Sequence, residues 1–119
     1  MIKIVVGGQI DKQKVADLVK QLGQDKVSVD VKNDLEAAMA MKAGQYDYYV
    51  GACNTGGGGA LAMAIALLGM DVCSTISMPG SIKEDSFIIS EVQKGKKAFG
   101  FTAQHAEAVL PVLMAEILK

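Results

Sequence analysis

The stretch "GACNTGGGG", Gly51 to Gly59, brings a cysteine, an asparagine, a threonine and five glycines together at the head of a long apolar run. Glycines let a backbone approach a ligand closely. The free N–H groups that open a following helix carry the positive end of its dipole, so an anion fits there. Gly56, Gly57, Gly58 and Gly59 supply such a turn, Asn54 and Thr55 add side-chain donors, and Cys53 beside the dipole favours thiolate. The competing reading is that the glycines only let a helix pack tightly on a sheet and that Cys53 is a small buried hydrophobe. Tight packing, however, accounts for one or two glycines rather than four in succession beside three polar residues.

His105, the single histidine, opens the last helical segment. It is either a general acid or base on the same rim as Cys53, or a surface residue. Cys73 stands in an apolar strand and reads as core. The two cysteines form neither a Cys-x-x-Cys pair nor a metal spacing, which fits a reducing compartment, and no metal site is expected. All twelve basic residues are lysines, so no bidentate guanidinium clamp exists. An anion must therefore be held by backbone N–H groups and lysine point charges. Several chemistries are disfavoured: "VVGGQIDK" is not the G-x-G-x-x-G of a dinucleotide turn, and "GGGGAL" lacks the Gly-Lys-Ser/Thr ending of a phosphate loop. No cysteine follows the first strand, which speaks against a phosphocarrier. No cofactor is expected.

These residues must be positioned by alternating strands and helices. "KIVVGG", "VSVDVK", "YDYYVGA", "VCSTIS" and "KAFGFT" read as five strands, the second as an edge with one wet face. Helical spacing follows each: Val15, Leu18, Val19 and Leu22 before a stop at Gly23, then "NDLEAAMAMKAG" with Asn33 and Glu36 spaced as a capping box. The third helix leaves the glycine junction. Ser81 and Glu84 are expected to cap the fourth, and Thr102 to begin the fifth, with a kink at Pro111.

Such alternation predicts a three-layer, doubly wound α/β fold: a mainly parallel five-stranded sheet in one domain, residues 1–119. The expected order is flavodoxin-like, 2-1-3-4-5, with the Rossmann-like 3-2-1-4-5 as the alternative. Either places the strand-to-helix loops on one edge, where ligands bind. That rim holds Gly7 to Ile10, including Gly8 and Gln9, then Cys53 to Gly59, Ser77 to Gly80, and Thr102 to His105. Asp47 and Asp71 fall toward the opposite edge.

With 119 residues, half of them apolar, one core can be built. Twelve basic and thirteen acidic residues are scattered without blocks, so neither nucleic acid nor a membrane is expected as a partner. The N-terminus lacks the pattern of a signal peptide, and Ala60 to Met70 is too short to cross a bilayer, so a soluble, cytoplasmic protein is expected. The run "ALAMAIALLGM" has no polar face. This predicts a homodimer or higher homo-oligomer, unless neighbouring helices bury it within one chain.

"NDLEAAMAMKAGQYDYYVGACNTGGGGALAMAIALLG" followed by "KKAFGFTAQHAEAVLPVL" resembles the YhfU-like family of small bacterial proteins of unknown function, along the whole chain. That likeness implies small-molecule metabolism and no particular reaction. A shorter stretch, Gly44 to Gly69, is similar to ribose- and galactose-6-phosphate isomerases, and implies an acid/base role for Cys53 and a binding turn from Thr55 to Gly59. Departures weaken this: Asn54 replaces a glycine, the first loop lacks an Asp-His pair, "ISMPG" has no histidine, and arginine is absent. The expectation is thus a small anionic metabolite, phosphorylated or carboxylated, at the turn 53–59. The alternatives are a sugar-phosphate isomerase-like enzyme and an accessory subunit that docks through residues 60–70.

Overall fold

β1 (Ile2–Gly8), β2 (Val27–Val31), β3 (Tyr48–Cys53), β4 (Cys73–Thr75) and β7 (Ala98–Thr102) form one parallel sheet in the order β2-β1-β3-β7-β4. They belong to a computed structural model that describes residues 1–54 and 58–119. Helices α1 (Lys12–Gly23), α4 (Asp85–Gln93) and α5 (Ala106–Ile117) cover one face, and α2 (Asp34–Lys42) and α3 (Gly58–Leu68) the other. The three layers, the parallel pairing and the edge position of β2 are those the alternation of elements predicts.

Both expected strand orders are corrected. Counting the five sheet strands along the chain, the order is 2-1-3-5-4: the last strand is inserted between the third and the fourth. The reason lies in their composition. All five residues of β7, "AFGFT", are buried, as a central strand covered on both faces requires. Of the three residues of β4, "CST", only Ser74 is buried, which suits an edge.

Period-two alternation divides the core. Ile4, Val6, Val50, Ala52, Phe99 and Phe101 pack with Val15 and Val19 of α1 and with Leu110 and Leu113 of α5. Val5, Tyr49 and Ala98 pack with Ala37 and Met41 of α2 and Leu61 and Ala64 of α3. The Asn33 carboxamide oxygen accepts from the Glu36 N–H at 2.8 Å and its amide donates to the Glu36 carboxylate at 2.6 Å, so the capping pair ahead of α2 is present.

The expected cap at Ser81 is overturned. Between β4 and α4 the chain makes a small antiparallel hairpin of β5 (Ser77–Met78) and β6 (Ser81–Ile82), turning at Pro79 and at Gly80, whose φ is +74°. Proline followed by a positive-φ glycine is a strong turn signal, and it draws Ser81 into the hairpin. Glu84 takes the cap position without a side-chain bond, and α4 begins at Asp85. Thr102 likewise stays in β7. A single 3-10 turn, Ala103–His105, precedes α5, which continues as one element through Pro111.

At the opposite edge, Lys3 N–H donates to the Asp47 carboxylate at 2.8 Å and Asp47 N–H to the Lys3 carbonyl at 2.7 Å, so Asp47 is a strand-end residue. On α3, Ala62 and Ala66 are exposed while Ala60, Leu61 and Ala64 are buried. No described helix is long and apolar enough to cross a membrane.

Candidate functional site

The carboxyl ends of β1, β3 and β7 meet beneath the first turn of α3. At the end of β1, Gly8 has a φ of +80°, and a Cβ there would stand 2.6 Å from the Ala52 nitrogen. The chain then folds over β3: the N–H groups of Gln9 and Ile10 both donate to the Ala52 carbonyl, at 2.9 and 3.3 Å. This carries the Gln9 side chain, exposed to solvent, onto Gly59, where a Cβ would collide with its amide. Gly8, Gln9 and Gly59, which the sequence places on one rim, are therefore brought together.

Tyr49 holds the same corner from below. Its side chain is fully buried on the α3 side of the sheet, and its hydroxyl accepts from Gly8 N–H at 2.9 Å while donating to the Ala60 carbonyl at 2.8 Å. Gly7 and Gly51 leave room for that ring: a Cβ on Gly7 would stand 2.6 Å from it, and one on Gly51 3.0 Å from both the ring and the Ala60 carbonyl. Burial pushes the phenol up to about 12, the Gly8 N–H pulling modestly the other way. One hydroxyl thus ties the last residue of β1 to the first turn of α3. Nothing in the sequence distinguished Tyr49 from an ordinary core aromatic; the signal lay in the glycines at 7 and 51 on either side of it.

Cys53 ends β3, with 2% of its surface exposed. By the alternation that turns Tyr49 toward α3, it faces the same side. An accessible rim thiol is the expectation, and burial corrects it. Cys73, expected in the core, is only half-buried and lines a cavity, because β4 is an edge strand. Asn54 is exposed at the mouth, and Gly58 and Gly59 begin α3. The expectations for Thr55, Gly56 and Gly57 lie outside the described residues.

Thr102 pairs in register with Cys53, and by the alternation from Ala98 it also faces the α3 side. It is 4% exposed, and its Oγ1 is buried without a hydrogen-bond partner among the described residues. Its backbone N–H donates to the Ser77 hydroxyl at 2.9 Å, which pins the β5–β6 hairpin to the end of β7. A buried hydroxyl without a partner costs about 1–3 kcal/mol, so such groups are uncommon unless something else satisfies them. The sequence placed Thr102 in a rim segment but gave its side chain no role. A hydroxyl at the carboxyl end of a central strand, two residues beyond Gly100, was the available signal.

His105 closes the 3-10 turn and leads into α5, which belongs to the layer of α1 and α4 rather than to that of α3. It is half-buried, with its Nδ1 enclosed and without a partner among the described residues. Among the described residues no three histidine, cysteine, aspartate or glutamate side chains converge as a metal site would require. What the arrangement offers is the Gln9 amide against Gly59 at the start of α3 and, at the end of β7, a buried hydroxyl on the α3 side of the sheet.

Comparison with known proteins adds kinship without chemistry. The family model described as "Protein of unknown function DUF2620" matches residues 2–117. The chain is 40% identical over 114 residues to the "Uncharacterized protein YhfU" of Escherichia coli strain K12, covering 96% of this chain and 97% of the relative. The Shigella flexneri protein of the same description has the same identity and coverage. No solved structure matches significantly.

Proposed function

From the premise that the chain belongs to the DUF2620 family of unknown function, we propose that it binds a small anionic metabolite, phosphorylated or carboxylated. The site is the corner formed by the ends of β1, β3 and β7 under the start of α3. The observation that carries this reading is the buried hydroxyl of Thr102, without a hydrogen-bond partner among the described residues and set beside Cys53 on the α3 side of the sheet. The helix start supplies N–H donors and a positive dipole end, and the hydroxyl donates a further hydrogen bond to an oxyanion. Gln9, resting on Gly59, has an amide to add. With lysine as the sole basic residue type, backbone donors are the natural means of holding the charge.

An isomerase-like reading assigns proton transfer to Cys53. Its burial counts against direct contact with substrate, so binding is the reading the geometry favours.

Thr102→Val separates a ligand-binding hydroxyl from a structural one. The substitution keeps the shape and removes the unsatisfied group, so the unliganded protein is expected to gain about 0.5–1 kcal/mol in urea denaturation. In a thermal-shift panel of phosphate, sugar phosphates and small carboxylates, the best stabiliser of the parent protein is expected to bind the variant roughly tenfold more weakly, the equivalent of about 1.4 kcal/mol. Equal affinity in the two proteins rules out the hydroxyl as a ligand contact.

Self-association belongs to the same proposal. The outer side of α3, with Ala62 and Ala66 exposed, carries no polar side chain, and exposed Met39 and Leu35 stand on the adjoining α2. A twofold dimer would cover this surface with another copy of itself. Multi-angle light scattering is expected to give a dimer mass, which Ala66→Glu converts to monomer with the circular dichroism spectrum unchanged. A monomer mass for the parent protein disproves the dimer.

A further inference from the structure

A concavity lies along the flank of α3 that faces the sheet edge. It encloses about 310 Å³ between α3, β4, the β5–β6 hairpin and α4, and its apolar wall includes Leu61 and Ile65 of α3, Met78 of the hairpin and Phe87 of α4. That volume is at the lower end of the range, about 300–1,000 Å³, typical of small-molecule sites.

Two opposite charges line this one apolar space, Glu91 and Lys83. Glu91 is 8% exposed; its Oε1 accepts from the Ser74 hydroxyl at 2.7 Å and its Oε2 lies 3.3 Å from the Lys94 ammonium. The Lys94 side chain is 64% exposed, so the compensating charge stands largely in water while the carboxylate does not. A carboxylate so placed is costly unless it is well paired, and the Ser74 bond alone would be served equally by a glutamine. Lys83 is half-buried, its ammonium 5.3 Å from the centre of the Phe87 ring, and it forms no ion pair among the described residues. An apolar wall carrying one retained carboxylate and one unpaired ammonium complements a ligand with an apolar body, one cation and one anion.

We propose that this cavity is a binding site for a small zwitterion of the apolar α-amino-acid class, Glu91 receiving its ammonium and Lys83 its carboxylate. The site is separate from the anion corner, with which it shares α3 as a wall, and it stands whether or not that corner binds an anion.

Cys73, which also lines the cavity, supplies the readout. Iodoacetamide alkylation of Cys73 is followed by mass spectrometry in the presence of L-valine, L-leucine, L-methionine or L-phenylalanine at millimolar concentration. Alongside L-leucine are run 4-methylpentanoate, which lacks the ammonium, and 3-methylbutylamine, which lacks the carboxylate. At least one amino acid is expected to slow alkylation about tenfold at saturation, with the half-charged analogues protecting far less. Glu91→Gln retains an acceptor for Ser74 and is expected to abolish protection by the amino acid. Lys83→Met, at a half-buried position, is expected to do the same, with its circular dichroism spectrum unchanged. Absence of protection by all four amino acids overturns the proposal, as does equal protection by the analogues or protection that survives Lys83→Met.

Discussion

Gly8→Ala is expected to destabilise the protein by about 3–5 kcal/mol, the largest effect of any single methyl group added at the rim. Two costs combine. A side chain in the left-handed region at φ +80° costs about 1–3 kcal/mol. The added Cβ would also stand 2.6 Å from the nitrogen and 2.7 Å from the oxygen of Ala52, backbone atoms of a central strand that cannot rotate aside, and such overpacking adds about 1–3 kcal/mol. Against a total stability of about 5–15 kcal/mol this is a large share. Urea denaturation measures it, and a loss below about 1 kcal/mol would mean that β1 and β3 do not approach as described. Partial relief by strand separation would also move Gln9 away from Gly59, so ligand affinity should fall with stability.

Tyr49→Phe is expected to cost about 2–4 kcal/mol although it removes one oxygen. Its loss leaves the Gly8 N–H and the Ala60 carbonyl without this partner inside the core, at about 1–3 kcal/mol for each buried group left unsatisfied. The pH dependence distinguishes this mechanism from a packing defect. Burial raises the phenol from 10.0 to about 12 in the folded protein, so the folded state keeps its proton where the unfolded state releases one. The stability so contributed is complete below pH 10 and is lost as pH rises through about 12. Tyr46 titrates in the same window, raised to about 12 chiefly by its hydrogen bond to Asp30, so the variant should flatten the alkaline decline without abolishing it. An unchanged slope between these values in Tyr49→Phe would exclude the buried hydroxyl as its source.

The elements of this fold are legible in the sequence because each is written locally. Val15 and Val19 mark the buried stripe of α1, Asn33 and Glu36 the start of α2, and the apolar alternation of "KIVVGG" the strand β1. The strand order is not local. That β7 enters beside β3 depends on which strand needs cover on both faces, and "AFGFT" competes for that place with "CST" only once the helices are packed. The hairpin at Pro79 and Gly80 was hidden by a Ser81–Glu84 spacing that equally suits a helix cap. At the candidate site, the sequence places Gly8, Gln9 and Gly59 on one rim, and they do converge there. The depth of Cys53 and the orphaned Thr102 hydroxyl follow from register between strands far apart in sequence, which no local pattern encodes.

The most direct test of the anion corner is a two-dimensional ¹H–¹⁵N correlation spectrum of the protein titrated with inorganic phosphate and then with the best sugar phosphate or carboxylate from the thermal-shift panel. The account predicts saturable shifts confined to the amides of Gln9, Asn54, Gly58, Gly59 and Thr102, residues drawn from three separate segments that meet only in the folded protein. Saturable shifts that instead follow the lysine-bearing surfaces, or an unchanged spectrum across phosphate and the whole panel, would contradict it.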